Sequence, residues 1–311
     1  MTEHFVRADV QAFLDLMKAT PRPGMSDAII AYIRQMPPGM MPSLDLPVGD
    51  LGAVRDVVMP GPDGELALKL FDVRAARGPS PVVVFYHGGG FAVGSIETHA
   101  AVAAEMSRGL DLPVVSVEYR LAPEHPWPAG VDDAEAAARW VAENGAAFGR
   151  EFTGIVLAGD SAGGNLVAVT ALALRDKPAA LPVVLQFAIY PVADSSQPTA
   201  SRAEFATGYF LDKSDMDYFD RAYAGDVNDW RVSPLLAVLT GLPPAVVVTA
   251  SLDPLRDEGR AYAEKLEAAG VPVSFYEAEG TIHGFITYRL HVPSARDDFA
   301  RMLDLAKAML G

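Results

Sequence analysis

A serine flanked by glycines stands where a strand pattern gives way to a helix pattern. Residues 159–163 read Gly-Asp-Ser-Ala-Gly, between the apolar run 155–158 and the helical pattern 162–175. Glycines in this segment permit a sharp turn that lifts the Ser161 hydroxyl above a sheet, and the positive end of the following helix lies beside it. In this context the segment predicts that Ser161 is a nucleophile, with a mere tight turn as the alternative.

A glycine loop offers donors for a developing negative charge. Residues 87–90 read His-Gly-Gly-Gly directly after the strand pattern 81–86. Backbone N–H groups of such a loop can approach an alkoxide without obstruction by side chains, so we predict an oxyanion hole made by the amides of Gly88, Gly89 and Ala162. A phosphate loop or simple turn is the alternative. The nucleotide interpretation is poor because the chain has neither Gly-x-Gly-x-x-Gly here nor Gly-Lys-Ser/Thr anywhere.

The residues that activate Ser161 should follow it, since this type of turn is used in the chain order serine, acid, histidine. Of the six histidines, only His283 and His291 come later. His283 lies in a loop just beyond the last strand pattern, where a base would project over the sheet, whereas His291 is expected at the surface. We therefore predict His283 as the base, and we interpret His87 as a residue that shapes the glycine loop.

The acid that orients the base is expected after the preceding strand pattern, 245–250. Asp253 stands there. Asp257 and Glu258 are rivals, but they fall inside the next helical turn and suit solvated first-turn carboxylates. Asp194, which follows an earlier strand pattern, is a more distant rival. We predict Asp253 as the acid.

The rest of the chain predicts the scaffold that brings these residues together. From about Asp50 onward, β-rich runs alternate with amphipathic stretches, which indicates a mostly parallel sheet covered by helices on both faces. The predicted strands are 54–58, 65–71, 81–86, 113–117, 155–158, 183–189, 245–250 and 272–276. The predicted helices are 98–109, 131–144, 162–175, 256–269 and 294–310.

Two segments, 1–45 and 192–230, do not fit this alternation. The first holds an amphipathic helix, a second short helix from Ser26 and a Met- and Pro-rich stretch at 36–42, and the second is polar and rich in aromatics. Segments at the carboxyl edge of a parallel sheet lie over the ligand site of such folds, so we predict that both form one helical cap. The catalytic core is then 46–191 and 231–311, and peripheral packing is the alternative. The apolar stripe of the first helix is predicted to hold Phe5, Val6, Val10, Phe13, Leu14 and Met17.

The composition limits the partners of the chain. Its 311 residues include 40 acidic and 25 basic ones, which gives a formal net charge of −15. Such a surface repels phosphate backbones and anionic lipids, so we expect no nucleic-acid or membrane partner. The absence of cysteine excludes disulfides, thiolate metal sites and cysteine nucleophiles. Without an apolar run of about 20 residues or a signal-peptide pattern, a soluble cytoplasmic protein is expected.

Five separated motifs, in this order, closely resemble those of the hormone-sensitive-lipase-like esterases of microbes. They are His-Gly-Gly-Gly from 87, Tyr-Arg-Leu-Ala-Pro-Glu from 119, Gly-Asp-Ser-Ala-Gly-Gly from 159, Asp-Pro-Leu-Arg-Asp from 253 and His-Gly-Phe from 283. The resemblance spans residues 45–310 and implies the α/β-hydrolase fold, with the same triad and oxyanion donors as predicted above. It also implies an acyl pocket under the cap for short or medium chains, and it is compatible with a homodimer.

The expected activity is hydrolysis of a small-molecule ester through an acyl-enzyme on Ser161, with no metal or organic cofactor. An amidase, formamidase or peptidase with the same triad is one alternative, and comparable rates on matched amides and esters would distinguish it. A non-catalytic binding protein on this scaffold, as in the plant gibberellin receptors, is another, but it would be signalled by loss of the base, and His283 is present. A dehalogenase is excluded because it needs a carboxylate in place of Ser161.

Overall fold

A central sheet of eight strands organises the part of the chain that the computed structural model describes, which is residues 4–20, 23–36 and 44–311. The strand order is β1-β2-β4-β3-β5-β6-β7-β8, and every pairing is parallel except those of β2 with β1 and with β4. The strands are β1 (Ala53–Gly61), β2 (Gly64–Asp72), β3 (Ser80–Tyr86), β4 (Val114–Val117), β5 (Phe152–Asp160), β6 (Val183–Ile189), β7 (Ala245–Leu252) and β8 (Val273–Ile282).

Helices cover both faces of this sheet. Apolar residues of α4, α5 and α8 pack on one face, and those of α1, α3 and α9 pack on the other. The described helices are α1 (Ala8–Ala19), α2 (Asp27–Gln35), α3 (Ala100–Leu110), α4 (Ala129–Glu143), α5 (Ala162–Asp176), α6 (Ala200–Glu204), α7 (Lys213–Tyr223), α8 (Arg256–Ala268) and α9 (Ala295–Leu310). In the described ranges, none of them is long and apolar enough to cross a bilayer.

The central strand β3 shows why this sequence forms a doubly covered sheet. Val82, Val84 and Tyr86 pack into the core on one face, while Val83 and Phe85 pack into the core on the other. Successive side chains of a strand point to opposite faces, so an uninterrupted apolar run is what a strand between two helical layers requires. The predicted fold class is confirmed, and all eight predicted strands are present.

The strand β8 is longer than its predicted range of 272–276. It continues through Glu277, Glu279 and Thr281 to Ile282, so the apolar run ends before the strand does. Among the described residues β8 pairs with β7 alone, and an edge strand tolerates polar side chains that a central strand would not.

The two segments outside the alternation contact each other in the structure. Val10 and Phe13 of α1 are buried, and the Phe13 ring centroid lies 5.5 Å from that of Phe210 in the insert. In α2, Asp27 accepts a hydrogen bond from the Tyr218 hydroxyl at 2.9 Å. The predicted apolar stripe is wrong for Phe5, which precedes α1 and is 63% exposed. Residues 37–42 of the predicted Met- and Pro-rich stretch lie outside the described residues.

Candidate active site

Ser161 occupies a strained turn between the end of β5 and the start of α5. Its backbone has φ +56° and ψ −118°, a region that costs a non-glycine residue on the order of 1–3 kcal/mol. Hydrogen bonds hold the turn, because the Ser161 amide donates to the Ile189 carbonyl at 2.9 Å and the Ser161 carbonyl accepts from the Val192 amide at 3.2 Å. The neighbouring strand β6 and its continuation therefore fix the backbone of the predicted nucleophile.

Two predicted partners of Ser161 reach it from the carboxyl ends of later strands. His283 follows β8 directly and Asp253 follows β7 directly. The Nε2 atom of His283 lies 2.8 Å from Ser161 Oγ, and its Nδ1 atom lies 2.7 Å from Asp253 Oδ2. The other carboxylate oxygen of Asp253 accepts the Leu255 amide at 2.8 Å, so the fully buried carboxylate is held at both oxygens. The arrangement is a continuous acid–base–hydroxyl relay.

The rival residues make other contacts. Asp257 accepts the Ser201 amide at 2.8 Å, and Asp194 accepts the Ser196 amide at 2.8 Å. His291 lies beside the Phe13 ring, with 6.2 Å between the centroids.

Glu258 is not the solvated carboxylate that the sequence predicted. It is buried in the first turn of α8, where it accepts hydrogen bonds from the Ala193 amide at 2.9 Å and from Arg202 Nε at 3.0 Å. Burial raises the pKa of Glu258 to about 7, although Arg202 opposes this shift. The carboxylate thus joins the core helix α8 to α6 of the insert.

The backbone amides around the glycine loop differ in whether they already have a hydrogen-bond acceptor. The Gly88 amide donates a 2.8 Å hydrogen bond to Asp160 Oδ1, so this N–H, one of the three predicted oxyanion donors, already has an acceptor. The amides of Gly89, Gly90 and Ala162 have no acceptor in the described part of the chain. Gly89 and Gly90 adopt φ values of +122° and +58°, which glycine reaches without steric cost. The candidate donors are therefore Gly89, Gly90 and Ala162.

His87 is buried under this loop. Its ring stacks on that of Tyr119 with 4.3 Å between the centroids, and the Tyr119 hydroxyl donates to the His87 carbonyl at 2.7 Å. Burial, and secondarily the nearby His99, lowers the pKa of His87 to about 3. The neutral ring and these contacts fit the interpretation of His87 as a residue that shapes the loop.

Comparison with known proteins agrees with this geometry. A family model described as alpha/beta hydrolase fold matches residues 83–287. The chain belongs to this α/β-hydrolase family. Carboxylesterase NlhH of Mycobacterium tuberculosis is 40% identical over 291 residues, with 90% of this chain and 88% of the relative covered. An arylesterase of Saccharolobus solfataricus is 37% identical over 246 residues, with 78% and 79% covered.

A solved structure agrees with the fold of this α/β-hydrolase. An ester hydrolase from the metagenome of Lake Arreo, complexed with a derivative of bipyridine phosphonate, matches with a TM-score of 0.89 and 37% identity. The match covers 98% of this chain and 99% of that chain. The resemblance to the hormone-sensitive-lipase-like esterases, stated from five motifs, is confirmed.

Residues of both the N-terminal and the inserted segment lie against the end of the glycine loop of this α/β-hydrolase or against the two residues that follow it. The Phe219 ring of α7 packs on Gly90 so closely that a Cβ there would lie 2.3 Å from its Cγ. The Tyr223 ring stacks on Phe91 with 3.9 Å between centroids. From α2, Arg34 Nε donates to the Ala92 carbonyl at 3.1 Å. Helices from both segments thus contact the loop that carries the candidate oxyanion donors.

The glycines around Ser161 permit a close approach of α5 to β3. A Cβ added at Gly163 would lie 1.9 Å from the Tyr86 carbonyl oxygen. We expect Gly163→Ala to lower the free energy of unfolding by about 3 kcal/mol and to remove most activity, because the nucleophile turn must move away from the strand. Denaturant unfolding and ester turnover would measure both effects.

Gly78→Ala is the matched control for that substitution. Gly78 is exposed, and an added Cβ would meet no atom of the described residues within 4 Å. Its effect on the unfolding free energy should stay within about 1 kcal/mol. Equal stability and activity of the two variants would contradict the close packing of α5 on β3.

Proposed function

We propose that this protein is a serine carboxylesterase that hydrolyses short- to medium-chain acyl esters through an acyl-enzyme intermediate. The observation that carries the proposal is the unbroken hydrogen-bonded relay from Asp253 through His283 to Ser161. Backbone amides beside the Ser161 turn that have no acceptor among the described residues add to it, since acyl transfer requires donors for an oxyanion. The relatives named carboxylesterase and arylesterase support the same activity.

The relay assigns each residue a step. His283 Nε2 takes the proton of Ser161 Oγ while the oxygen attacks the ester carbonyl carbon. Asp253 accepts the Nδ1 hydrogen, which holds the imidazole in the tautomer whose Nε2 is free to accept a proton, and stabilises the imidazolium that forms. His283 then protonates the leaving alkoxide, and the ester bond to the alcohol breaks.

The second half of the reaction releases the acid. A water molecule donates its proton to His283 Nε2 and attacks the acyl carbon bound to Ser161. His283 returns the proton to Ser161 Oγ as the acyl bond breaks. During both tetrahedral intermediates the amides of Gly89, Gly90 and Ala162 are proposed to stabilise the oxyanion, with Gly90 in place of Gly88 of the predicted set.

The helices of residues 1–45 and 192–230 are proposed as one cap over the core 46–191 and 231–311. Their contacts with each other and with the glycine loop support this division. Ser161 and His283 are each only 8% exposed, so substrate has little open surface through which to reach the relay. A covered site of this kind favours short acyl chains over long ones.

Phe219 is the cap residue with the clearest expected effect on acyl-chain preference. Phe219→Ala removes the ring that packs on Gly90 and opens space beside the proposed oxyanion hole. We expect the ratio of kcat/KM for octanoate to that for acetate esters to rise by about tenfold, which is within the range that pocket size contributes to discrimination. Kinetics with p-nitrophenyl acetate and octanoate would measure the ratio.

Tyr32→Ala serves as the control for a cap aromatic. Its side chain lies in α2 and is 61% exposed, so removing it should leave the ratio unchanged. The same change of ratio in both variants, or no change in Phe219→Ala, would contradict a pocket-lining position of Phe219.

The proposed function is tested by hydrolysis of p-nitrophenyl esters from acetate to palmitate, with matched p-nitroanilides measured in parallel. We expect turnover that is highest for the short and medium esters and far lower for the anilides. A phosphonate ester, which mimics the tetrahedral intermediate, should add covalently to Ser161, and peptide mass spectrometry would locate the adduct. Absence of turnover and of an adduct would refute the proposal, while equal ester and anilide rates would favour an amidase.

A homodimer and a cytoplasmic location stay predictions from the sequence and its resemblance. Light scattering of the purified protein and fractionation of cells that express it would test them.

A further inference from the structure

One buried carboxylate contacts the glycine loop without belonging to the relay. Asp160 ends β5 and directly precedes Ser161, and it is 3% exposed. Its Oδ1 accepts the Gly88 amide at 2.8 Å, and a Cβ on Gly88 would lie 2.4 Å from its Oδ2. A hydrogen bond from a backbone amide to a charged acceptor is stronger than one between neutral groups. Asp160 thus holds the first glycine of the loop in contact with the nucleophile strand.

The hydrogen bond at Gly88 affects the direction of the amides that follow it. Each peptide unit is planar, so the direction of the Gly89 amide depends on the backbone dihedral angles at Gly88, and that of Gly90 on those at Gly89. Glycine restricts these angles less than any other residue, and an external anchor is needed to hold one geometry. The Gly88 hydrogen bond to Asp160 is such an anchor.

The Asp160 carboxylate also contacts a residue that packs on the base, His283. The Tyr190 hydroxyl lies 3.4 Å from Asp160 Oδ2, and the Tyr190 ring packs on His283 with 4.7 Å between centroids. His99 Nε2 lies 3.5 Å from Asp160 Oδ1. Burial would raise the pKa of Asp160, but His99 and the Gly88 amide lower it below its usual value overall. A charged carboxylate is therefore held between the glycine loop and the tyrosine beside the base.

We propose that Asp160 is the positioning residue of this site, because it fixes the glycine loop through Gly88 and the Tyr190 ring beside His283. This inference rests on the proposed esterase function. In the described part of the chain no hydrogen bond joins the Asp160 side chain to the triad, so its effect passes through the residues that it holds. Losing this anchor should weaken the binding of the oxyanion more than the binding of the substrate.

The test compares Asp160→Ala, Asp160→Asn and wild type on p-nitrophenyl butyrate, with a trifluoromethyl ketone as an inhibitor that forms an oxyanion on Ser161. We expect Asp160→Ala to lower kcat about 10²-fold, the loss typical of one oxyanion donor, while KM stays close to wild type. The affinity for the ketone should fall in parallel with kcat. Asp160→Asn should recover most of the rate, since its side-chain oxygen can still accept the Gly88 amide.

Asp133→Ala controls for the loss of a buried carboxylate elsewhere. Asp133 lies on α4, is fully buried and also accepts a backbone amide, that of Arg120 at 2.9 Å, but its carboxylate forms an ion pair with the Arg120 side chain. At a temperature well below the unfolding midpoints of all variants, the kcat of Asp133→Ala and its affinity for the ketone should match those of the wild type.

Three results would overturn the inference. The first is a loss of kcat in Asp160→Ala that is no larger than the loss in Asp133→Ala. The second is a raised KM with unchanged kcat in Asp160→Ala. The third is an Asn variant as slow as the Ala variant, which would show that the Gly88 acceptor is not what matters. In each case a wild type that hydrolyses the ester leaves the proposed function intact, whereas an inactive wild type would overturn both.

Discussion

Replacing Ser161 with alanine is expected to lower kcat for p-nitrophenyl acetate by at least about 10⁴-fold, since the acyl-enzyme route is lost with the attacking oxygen. The residual rate should come from substrate binding and the oxyanion donors alone. Removing Oγ eliminates one hydrogen bond to His283 but leaves the backbone bonds of the turn, so the fold should persist. Steady-state kinetics and circular dichroism would measure the two properties on the same preparation.

Ser116→Ala is the matched control for that variant. Ser116 is a fully buried serine in β4, and its hydroxyl has no hydrogen-bond partner among the described residues. Its removal should leave kcat unchanged. Full activity in Ser161→Ala would refute the assignment of Ser161 as the nucleophile. Equal losses of kcat in Ser161→Ala and Ser116→Ala would indicate an effect of altered packing.

Replacing Asp253 with asparagine is expected to lower kcat by about 10⁴-fold with little change in KM. The carboxylate accepts the Nδ1 hydrogen of His283 at 2.7 Å, whereas an amide can present its NH₂ group to the same nitrogen. The hydrogen then moves to Nε2, and His283 can no longer accept the proton of Ser161. Steady-state kinetics at neutral and alkaline pH would measure the loss of kcat.

Asp257→Asn distinguishes the acid from its nearest rival in the sequence. Asp257 accepts the Ser201 amide, a role that an amide oxygen can also fill, so this variant should keep nearly full activity. A loss in Asp257→Asn as large as that in Asp253→Asn would contradict the assignment of the acid. Crystal structures of the two variants would show whether the His283 ring keeps its position.

The sequence was sufficient to bring the three relay residues together because each follows a parallel strand that an apolar run makes recognisable. Ser161 follows β5, Asp253 follows β7 and His283 follows β8. Parallel strands align their carboxyl ends on one edge of the sheet, so a local pattern already places the three side chains on that edge. The strand–turn–helix context of Ser161 and the loop position of His283 are local as well.

The oxyanion donors were only partly predictable, since they depend on contacts between distant parts of the chain. The Gly88 amide is taken by Asp160, 72 residues away, and no local pattern in the glycine loop shows this. The burial of Glu258 has the same origin, because its partner Arg202 belongs to the insert. Phe5 was misplaced for another reason: periodicity alone does not show where a helix begins.

The positions of the triad along the chain also determine when activity can arise. The hydrogen bonds of the relay close loops of 122 residues between Ser161 and His283 and of 30 residues between Asp253 and His283. Contacts so distant in sequence form slowly, because chain entropy must be lost before they stabilise anything. During refolding, secondary structure should therefore return before turnover does. A fragment that ends before β8 lacks the base, so the appearance of activity marks a chain whose last strand has joined the sheet.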